Sequence, residues 1–144
     1  MKKIILSAAC CLTLLPAVFA FTGPDPSRKV LESFQREFSG AENASWDKQG
    51  DFDKVVFTVS GNRIVAFFDA EGRFAGSMRN IFFNQLPLTV MTAIDKRFPE
   101  ADIIDVSEIT NEDGTTYRLT IEEQSKKKIV RVDASGTVSS IQKQ

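Results

Sequence analysis

The chain has 144 residues, of which 42% are hydrophobic and 26% charged, and its formal net charge is −1. A charge this close to zero argues against a nucleic-acid-binding protein, because such proteins carry a strongly basic surface. The sequence contains no histidine and two cysteines. Its length is enough for one domain that buries a hydrophobic core without disulfide bonds.

The first 20 residues have the pattern of a secretory signal peptide. Lys2 and Lys3 supply a positive start, residues 4–15 form an apolar run, and small side chains precede a cleavage position after Ala20. The run is too short and wrongly flanked for a membrane span. We therefore expect export to the periplasm with removal of residues 1–20.

Both cysteines, Cys10 and Cys11, lie inside this leader. A lipoprotein modified on one of them is the alternative, but Cys10 comes too early in the apolar run for the usual lipidation site. Loss of the leader leaves residues 21–144 without cysteine and takes the net charge from −1 to −3, because Lys2 and Lys3 leave with it. Such a chain has no thiol nucleophile, no histidine base and no Cys/His zinc site.

The first predicted elements are one helix and four strands. Residues 21–26 form a short linker that contains two prolines. Ser27 is the predicted N-cap, and the apolar stripe that begins at Val30 has helical spacing. Ser39 and Gly40 end the helix. Alternating apolar residues between turn residues then predict strands at 44–47, 54–59, 63–69 and 73–79.

A second helix and four further strands follow the connector at residues 82–86. Pro87 suits the first turn of a helix. The apolar stripe of this helix consists of Val90, Met91, Ile94 and Phe98. The run Asn111–Gly114 predicts a hairpin turn. The strands are expected at 103–109, 117–122, 128–133 and 137–142.

Both the order of elements and several residues recur along the chain. Val30, Phe34, Phe38 and Ala41 return as Val90, Ile94, Phe98 and Ala101, and Asp69–Gly72 returns as Asp133–Gly136. Self-similarity of this kind indicates two copies of one unit. The predicted fold class is α+β: two tandem repeats, residues 27–81 and 87–144, in one compact domain. Each repeat is a helix and a four-stranded antiparallel sheet, with both helices on one sheet face.

Core, cap and turn residues carry a resemblance to a known family; they include Arg36-Glu37-Phe38, Leu86-Pro87, Arg97-Phe98-Pro99 and Asp113-Gly114. They resemble the PepSY-like proteins, which Bacteroidetes secrete and whose fold is like that of the β-lactamase inhibitory protein (BLIP). The resemblance implies a periplasmic or cell-surface protein. Analogy of fold suggests inhibition of a peptidase or a β-lactamase, and the family has no catalytic residues to carry over.

Acidic residues in the second half have simple structural explanations. Counting from Asn111 puts Glu122 at the twelfth position of a calcium-binding loop, but Thr116 occupies the sixth position, where that loop needs glycine. We therefore expect an acidic hairpin turn and no metal site. Glu122 and Glu123 point to opposite faces of a strand, so they are not expected to act as a catalytic pair.

Two further features are also expected to be structural. The run Lys126–Lys128 is interpreted as a hairpin tip and not as an anion site. Trp46, the only tryptophan, is expected in the core and not as a ligand platform. With no cysteine or histidine after the leader, the sequence predicts no enzyme, no catalytic residue and no cofactor.

The predicted binding residues are Val56, Val65 and Phe67. Period two along the strands places them on the sheet face opposite the helices. The corresponding positions of the second repeat are Thr120, Ile129 and Arg131. The outward face of the first repeat is therefore the more apolar one, and an exposed apolar patch often marks an interaction site.

These features predict a non-catalytic periplasmic binding or inhibitor-like protein that uses an open sheet face. Its partner would be a periplasmic protein or peptide, with neither nucleic acid nor a membrane span involved. The alternative is a structural or envelope-maintenance protein. In that case the patch is covered by Phe82 or Phe83 of the connector, or by a second protomer in a homodimer. Exposure of Phe67 distinguishes the two.

Overall fold

A computed structural model describes residues 25–143. The predicted leader at residues 1–20 and the linker residues 21–24 lie outside this range. Two helices are described, α1 (Arg28–Glu37) and α2 (Leu88–Arg97), together with a short 3-10 helix (Phe83–Gln85). The strands are β1 (Glu42–Gln49), β2 (Phe52–Val59), β3 (Asn62–Phe68), β4 (Phe74–Asn80), β5 (Asp102–Asn111), β6 (Gly114–Glu123), β7 (Lys126–Asp133) and β8 (Val138–Lys143).

The predicted division into two tandem repeats, each with a four-stranded sheet of its own, is wrong. The eight described strands form one antiparallel sheet in the order β1 to β8. Strand β4 pairs with β5 through residues 77–80 and 107–110. This pairing satisfies backbone N–H and C=O groups that two separate sheets would leave as unprotected edges.

Both helices cover the same face of this sheet. Residues that pair directly across antiparallel strands share a face. Ala66 pairs with Ser77, Ser77 with Thr110, and Thr110 with Thr115. Ala66 belongs to the core under α1, and Tyr117, two residues beyond Thr115 on β6, belongs to the core under α2.

The helix boundaries follow the predicted capping residues closely. The Ser27 hydroxyl oxygen accepts a hydrogen bond from the Val30 N–H at 3.4 Å, which confirms Ser27 as the N-cap of α1. Pro87, which was predicted in the first turn of the second helix, instead occupies its N-cap position, one residue before α2 begins at Leu88. Each helix ends where the N–H of a phenylalanine, Phe38 or Phe98, bonds the carbonyl four residues earlier.

The core under α1 is aromatic, whereas the core under α2 is mainly aliphatic. Phe34 contacts Trp46 and Phe57 edge-on, with ring centroids 5.2 and 5.0 Å apart. Trp46 is only 2% exposed, which confirms its predicted place in the core. Under α2, the fully buried residues are Val90, Ile94, Leu119, Ile121, Val130 and Val132.

Two turns between neighbouring strands are closed by an aspartate side chain. The carboxylate of Asp69 accepts hydrogen bonds from the backbone N–H groups of Arg73 and Glu71 at 2.8 and 3.0 Å. Asp133 accepts the corresponding bonds from Thr137 and Ser135. The bond from the Arg73 N–H lowers the pKa of the Asp69 carboxyl group most. For Asp133, a bond from the Ser135 hydroxyl, followed by the bond from the Thr137 N–H, lowers the pKa.

A glycine in each turn allows close contact with a helix. A β-carbon on Gly72 would lie 2.8 Å from the Lys29 carbonyl oxygen in the first turn of α1. A β-carbon on Gly136 would lie 2.8 Å from the Thr89 carbonyl oxygen in the first turn of α2. Both glycines also have positive φ, a backbone conformation that residues with a β-carbon rarely adopt.

Candidate functional site

The sheet face opposite the helices, here called the open face, carries a row of apolar side chains across four strands. Val56 pairs with Val65, Val65 with Met78, and Met78 with Ile109. Direct partners on one face lie about 4.5–5.5 Å apart at their β-carbons, so these four residues form a continuous apolar ladder. The ladder crosses from β2 to β5 and includes the junction between β4 and β5.

Phe67 lies beside this ladder, two residues along β3 from Val65. Its cross-strand partners are Lys54 and Gly76. A β-carbon on Gly76 would lie 3.0 Å from the Thr110 carbonyl oxygen, so any larger residue would crowd β5. Gly76 and Phe67 both border a space on the open face.

A depression of about 420 Å³ occupies this space. Its apolar lining includes Phe52, Phe67, Met78 and Ile109. Phe52 is 42% exposed, and the other three side chains are partly exposed. A concave apolar surface with polar neighbours has the general character of a binding site.

The three predicted binding residues lie together, but they differ in exposure. Val56 and Phe67 are partly exposed. Val65 is only 8% exposed, although it belongs to neither hydrophobic core under the helices. Its position between Val56 and Met78 in the ladder accounts for this burial. Phe67, whose exposure distinguishes the two predicted functions, is only partly exposed and lines a depression.

The connector does not cover this surface. Phe83 packs against the hydrophobic core under α2, on the other face of the sheet. Phe82 is 77% exposed. Within residues 25–143, the lining of the depression comes entirely from strands β1 to β5 and the residues between them.

Sequence reasoning missed Met78, Ile109, Gly76 and Phe52 as parts of this surface. Alternation along β4 and β5 could have placed Met78 and Ile109 on the open face. It could not place them side by side, because their contact depends on the pairing of β4 with β5. A glycine in a strand is itself a signal of close backbone approach, and Gly76 provided that signal.

A basic pair lies on the open face beside the apolar ladder. Arg118 of β6 pairs directly with Arg131 of β7. Arg118 is partly exposed and Arg131 is exposed. Neither guanidinium has an ion-pair or side-chain hydrogen-bond partner within residues 25–143. Ser107, the cross-strand neighbour of Arg118 on β5, is buried. Its hydroxyl lies within hydrogen-bond distance of the Asn80 and Asp105 side-chain oxygens and shares its single hydrogen between them.

The acidic and lysine-rich runs have structural roles in the described part of the chain. The N–H of Asp113 donates to the Asn111 side chain at 3.1 Å, which closes the predicted acidic turn. Lys128 forms an ion pair with Glu123 across the β6–β7 hairpin. No cluster of three or more acidic, cysteine or histidine side chains suited to a metal ion occurs among the described residues.

The helix face contains two further charged pairs. Asp53 is buried and forms an ion pair with Lys48 at 2.9 Å. Arg79 and Glu108 form another at 2.7 Å between the two cores. Burial, followed by the nearby Glu108 charge, raises the pKa of Tyr117. These groups are already paired or enclosed and do not converge on a cavity with a nucleophile.

Solved structures of other proteins share this fold. A BLIP-like protein from Bacteroides fragilis has a TM-score of 0.76 and 21% identity, with 83% of this chain and 87% of that chain covered. A candidate periplasmic protein from Bacteroides eggerthii has a TM-score of 0.75 and 12% identity, covering 83% and 90%. A DUF2874 family protein from Bacteroides ovatus has a TM-score of 0.77 and 13% identity, covering 84% and 89%.

No protein-family model matches the sequence, and no curated protein matches it significantly. The structural matches, all of low sequence identity, show the fold alone. They confirm the BLIP-like fold that the resemblance implied, whereas the PepSY-like assignment stays a prediction. Among the described residues, neither helix has the length and apolar character needed to cross a membrane.

Proposed function

We propose that this chain is a non-catalytic, inhibitor-like periplasmic protein that binds another polypeptide through its open face. The observation that carries the proposal is the apolar ladder of Val56, Val65, Met78 and Ile109, which no described helix covers. Apolar side chains in contact with water favour association, because binding removes their surface from water.

The surroundings of the ladder also suit a binding surface. Lys54 and Asn80 lie on the same face at its margins, next to Phe67 and Met78. A central apolar area with a polar rim is the usual organisation of a protein interface. The depression beside Phe67 could receive one side chain of a partner and so supply an anchoring contact.

The chemistry of the chain supports binding over catalysis. Residues 21–144 contain no histidine and no cysteine, so the usual general base and the most reactive nucleophile are both missing. The likeness to a BLIP-like protein supports an inhibitor-like role by analogy of fold.

Export is part of the proposal. The leader pattern in residues 1–20 supports cleavage after Ala20. Mass spectrometry of the periplasmic fraction should find a chain that begins at Phe21. A diacylglyceryl group on Cys10 or Cys11 would instead establish a lipoprotein.

A substitution at Phe67 tests the binding surface. Phe67→Thr removes the ring but keeps a residue that favours strands. Residues 21–144 with and without this change would be used to capture proteins from periplasmic extract. The matched control is Phe82→Thr, because Phe82 is an exposed phenylalanine outside the depression. Capture that the Phe82 variant retains and the Phe67 variant loses would support the proposal, whereas equal capture by both would contradict it.

A structural protein of the envelope is the second candidate. The burial of Val65 and the partial burial of Val56 and Phe67 favour it, because a modest apolar area could be closed by a second copy of the chain. Analytical ultracentrifugation separates the two functions. A homodimer that Phe67→Thr converts to a monomer would favour the structural protein, and a wild-type monomer would favour binding of a different partner.

A further inference from the structure

From the arginine pair and its place beside the apolar ladder, we infer that the open face recognises an extended polypeptide segment with an acidic residue two positions from an apolar one. This inference rests on the proposed binding function and specifies the chemistry of the partner. Arg118 and Arg131 would bind the carboxylate, and the ladder with its depression would bind the apolar side chain.

The positions of Arg118 and Arg131 should destabilise the sheet as long as no partner is bound. Arg118 and Arg131 are direct cross-strand partners. Like charges in directly opposite positions of a sheet destabilise it. Neither guanidinium is neutralised by an ion pair within the described residues. A carboxylate from outside would relieve the repulsion and accept hydrogen bonds from both side chains.

Nearby acidic groups on the open face are held by other donors. The Asp133 carboxylate, two residues along β7 from Arg131, accepts the N–H groups of Ser135 and Thr137. The Asp105 carboxylate accepts the Ser107 hydroxyl at 3.3 Å. Among the described residues, neither of these carboxylates forms an ion pair with Arg118 or Arg131. The two guanidinium groups therefore remain available to a carboxylate of the partner.

The distance between the pair and the ladder suits an extended segment. Ile109 pairs directly with Thr116, and Arg118 lies two residues further along β6. Such diagonal neighbours on one face are about 7–8 Å apart. Side chains two residues apart on one side of an extended strand are separated by about 6.6 Å. An apolar residue and an acidic residue at alternate positions would thus reach Ile109 and Arg118 together.

A polypeptide fits this surface better than the other anionic macromolecules. Planar guanidinium groups suit the geometry of a carboxylate, which can accept two parallel hydrogen bonds. The adjoining ladder requires an apolar side chain on the same ligand. A nucleic acid would need a broad basic surface, whereas residues 21–144 have an excess of acidic residues.

Selection from a random peptide library displayed on phage tests the inference. Immobilised residues 21–144 should enrich peptides that carry Asp or Glu near an aromatic or aliphatic residue. The double variant Arg118→Gln, Arg131→Gln should weaken binding of a selected synthetic peptide about tenfold or more. The matched control is Arg28→Gln, Arg36→Gln, which removes the same charge from the exposed surface of α1. Wild-type binding should also weaken with added salt.

The other outcomes separate this inference from the proposed function. Enriched peptides without acidic residues, whose binding depends on Phe67 but not on the arginine pair, would overturn the inference and leave the binding function intact. Complete displacement of the peptide by millimolar inorganic phosphate would overturn it in favour of a small-anion site. Failure to enrich any peptide whose binding needs Phe67 would count against both proposals.

Discussion

Two adjacent phenylalanines show how differently the two faces of the sheet are used. Phe68 points to the helices, is fully buried, and has its ring centroid 5.8 Å from that of Phe74 and 6.3 Å from that of Phe34. Phe67 points the other way and lines the depression on the open face. The same side chain thus belongs to the core in one position and to a candidate interface in the next.

With the proposed function, the difference predicts that stability depends mainly on the helix face and binding on the open face. The helix face carries both hydrophobic cores and both helices. The two aspartate turns lie close to the first turns of these helices. The open face keeps its apolar ladder and its arginine pair without a covering element among the described residues. Substitutions on the helix face should therefore change the free energy of unfolding, and those on the open face should mainly change binding.

Phe68→Ala should give the largest effect. Removal of a fully buried ring leaves a cavity and costs about 3–5 kcal/mol of the free energy of unfolding. Phe67→Thr should cost about 1 kcal/mol, in the range of ordinary substitutions. Urea denaturation followed by tryptophan fluorescence would measure both, because Trp46 lies in the same core as Phe68. Equal losses for the two variants would remove the distinction between the faces.

Acidification should destabilise the two aspartate turns, which lie close to the first turns of the helices. Asp69 and Asp133 have lowered pKa values in the folded protein. Their contribution to stability is therefore complete above the unfolded-state pKa of about 3.9, and it is lost as the pH falls below that value through the folded-state pKa.

Denaturation midpoints of Asp133→Asn at neutral pH and at about pH 3 would test this expectation. The variant should be less stable than the wild type at neutral pH, and the difference should shrink in acid. Asp95→Asn is the control, because Asp95 is an exposed carboxylate of α2 without an ion-pair or hydrogen-bond partner in the described structure. If the stability difference between Asp133→Asn and the wild type is the same at both pH values, the Asp133 charge does not stabilise the turn.

The smallest effect is expected at the arginine pair. Arg118→Gln should raise the free energy of unfolding by about 0.2–1 kcal/mol, because it relieves repulsion from Arg131. Arg131→Gln should act similarly, and the double variant should be no more stable than either single variant, since each removes the same repulsion. Additive or destabilising effects in urea denaturation would show that the pair does not repel in the free protein.

The sequence predicted local features, such as caps and strand faces, better than the pairing of distant strands. The Ser27 cap, the core position of Trp46 and the grouping of Val56, Val65 and Phe67 followed from capping preference and strand period. The division into two sheets was wrong because recurring residues show similarity between segments but not their pairing. The β4–β5 contact joins segments separated by the connector and α2, and no local pattern encodes its register.

The same limitation explains what was missed at the candidate site. Met78 and Ile109 complete the apolar ladder only because β4 pairs with β5. The arginine pair depends on the register of β6 against β7, which places Arg118 opposite Arg131. Sequence comparison within the chain singled out Arg131 as a polar counterpart of Phe67 but could not identify its neighbour.

Oxidation of methionine tests most directly the claim that the open face binds a partner. Met78 lies in the ladder and lines the depression, whereas Met91 packs against the core on the helix face and serves as an internal control. Trypsin separates them into peptides 74–79 and 80–96, so mass spectrometry can follow each after treatment with hydrogen peroxide. A saturating selected peptide should slow oxidation of Met78 and leave that of Met91 unchanged. Binding that leaves the oxidation rate of Met78 unaltered would contradict the claim.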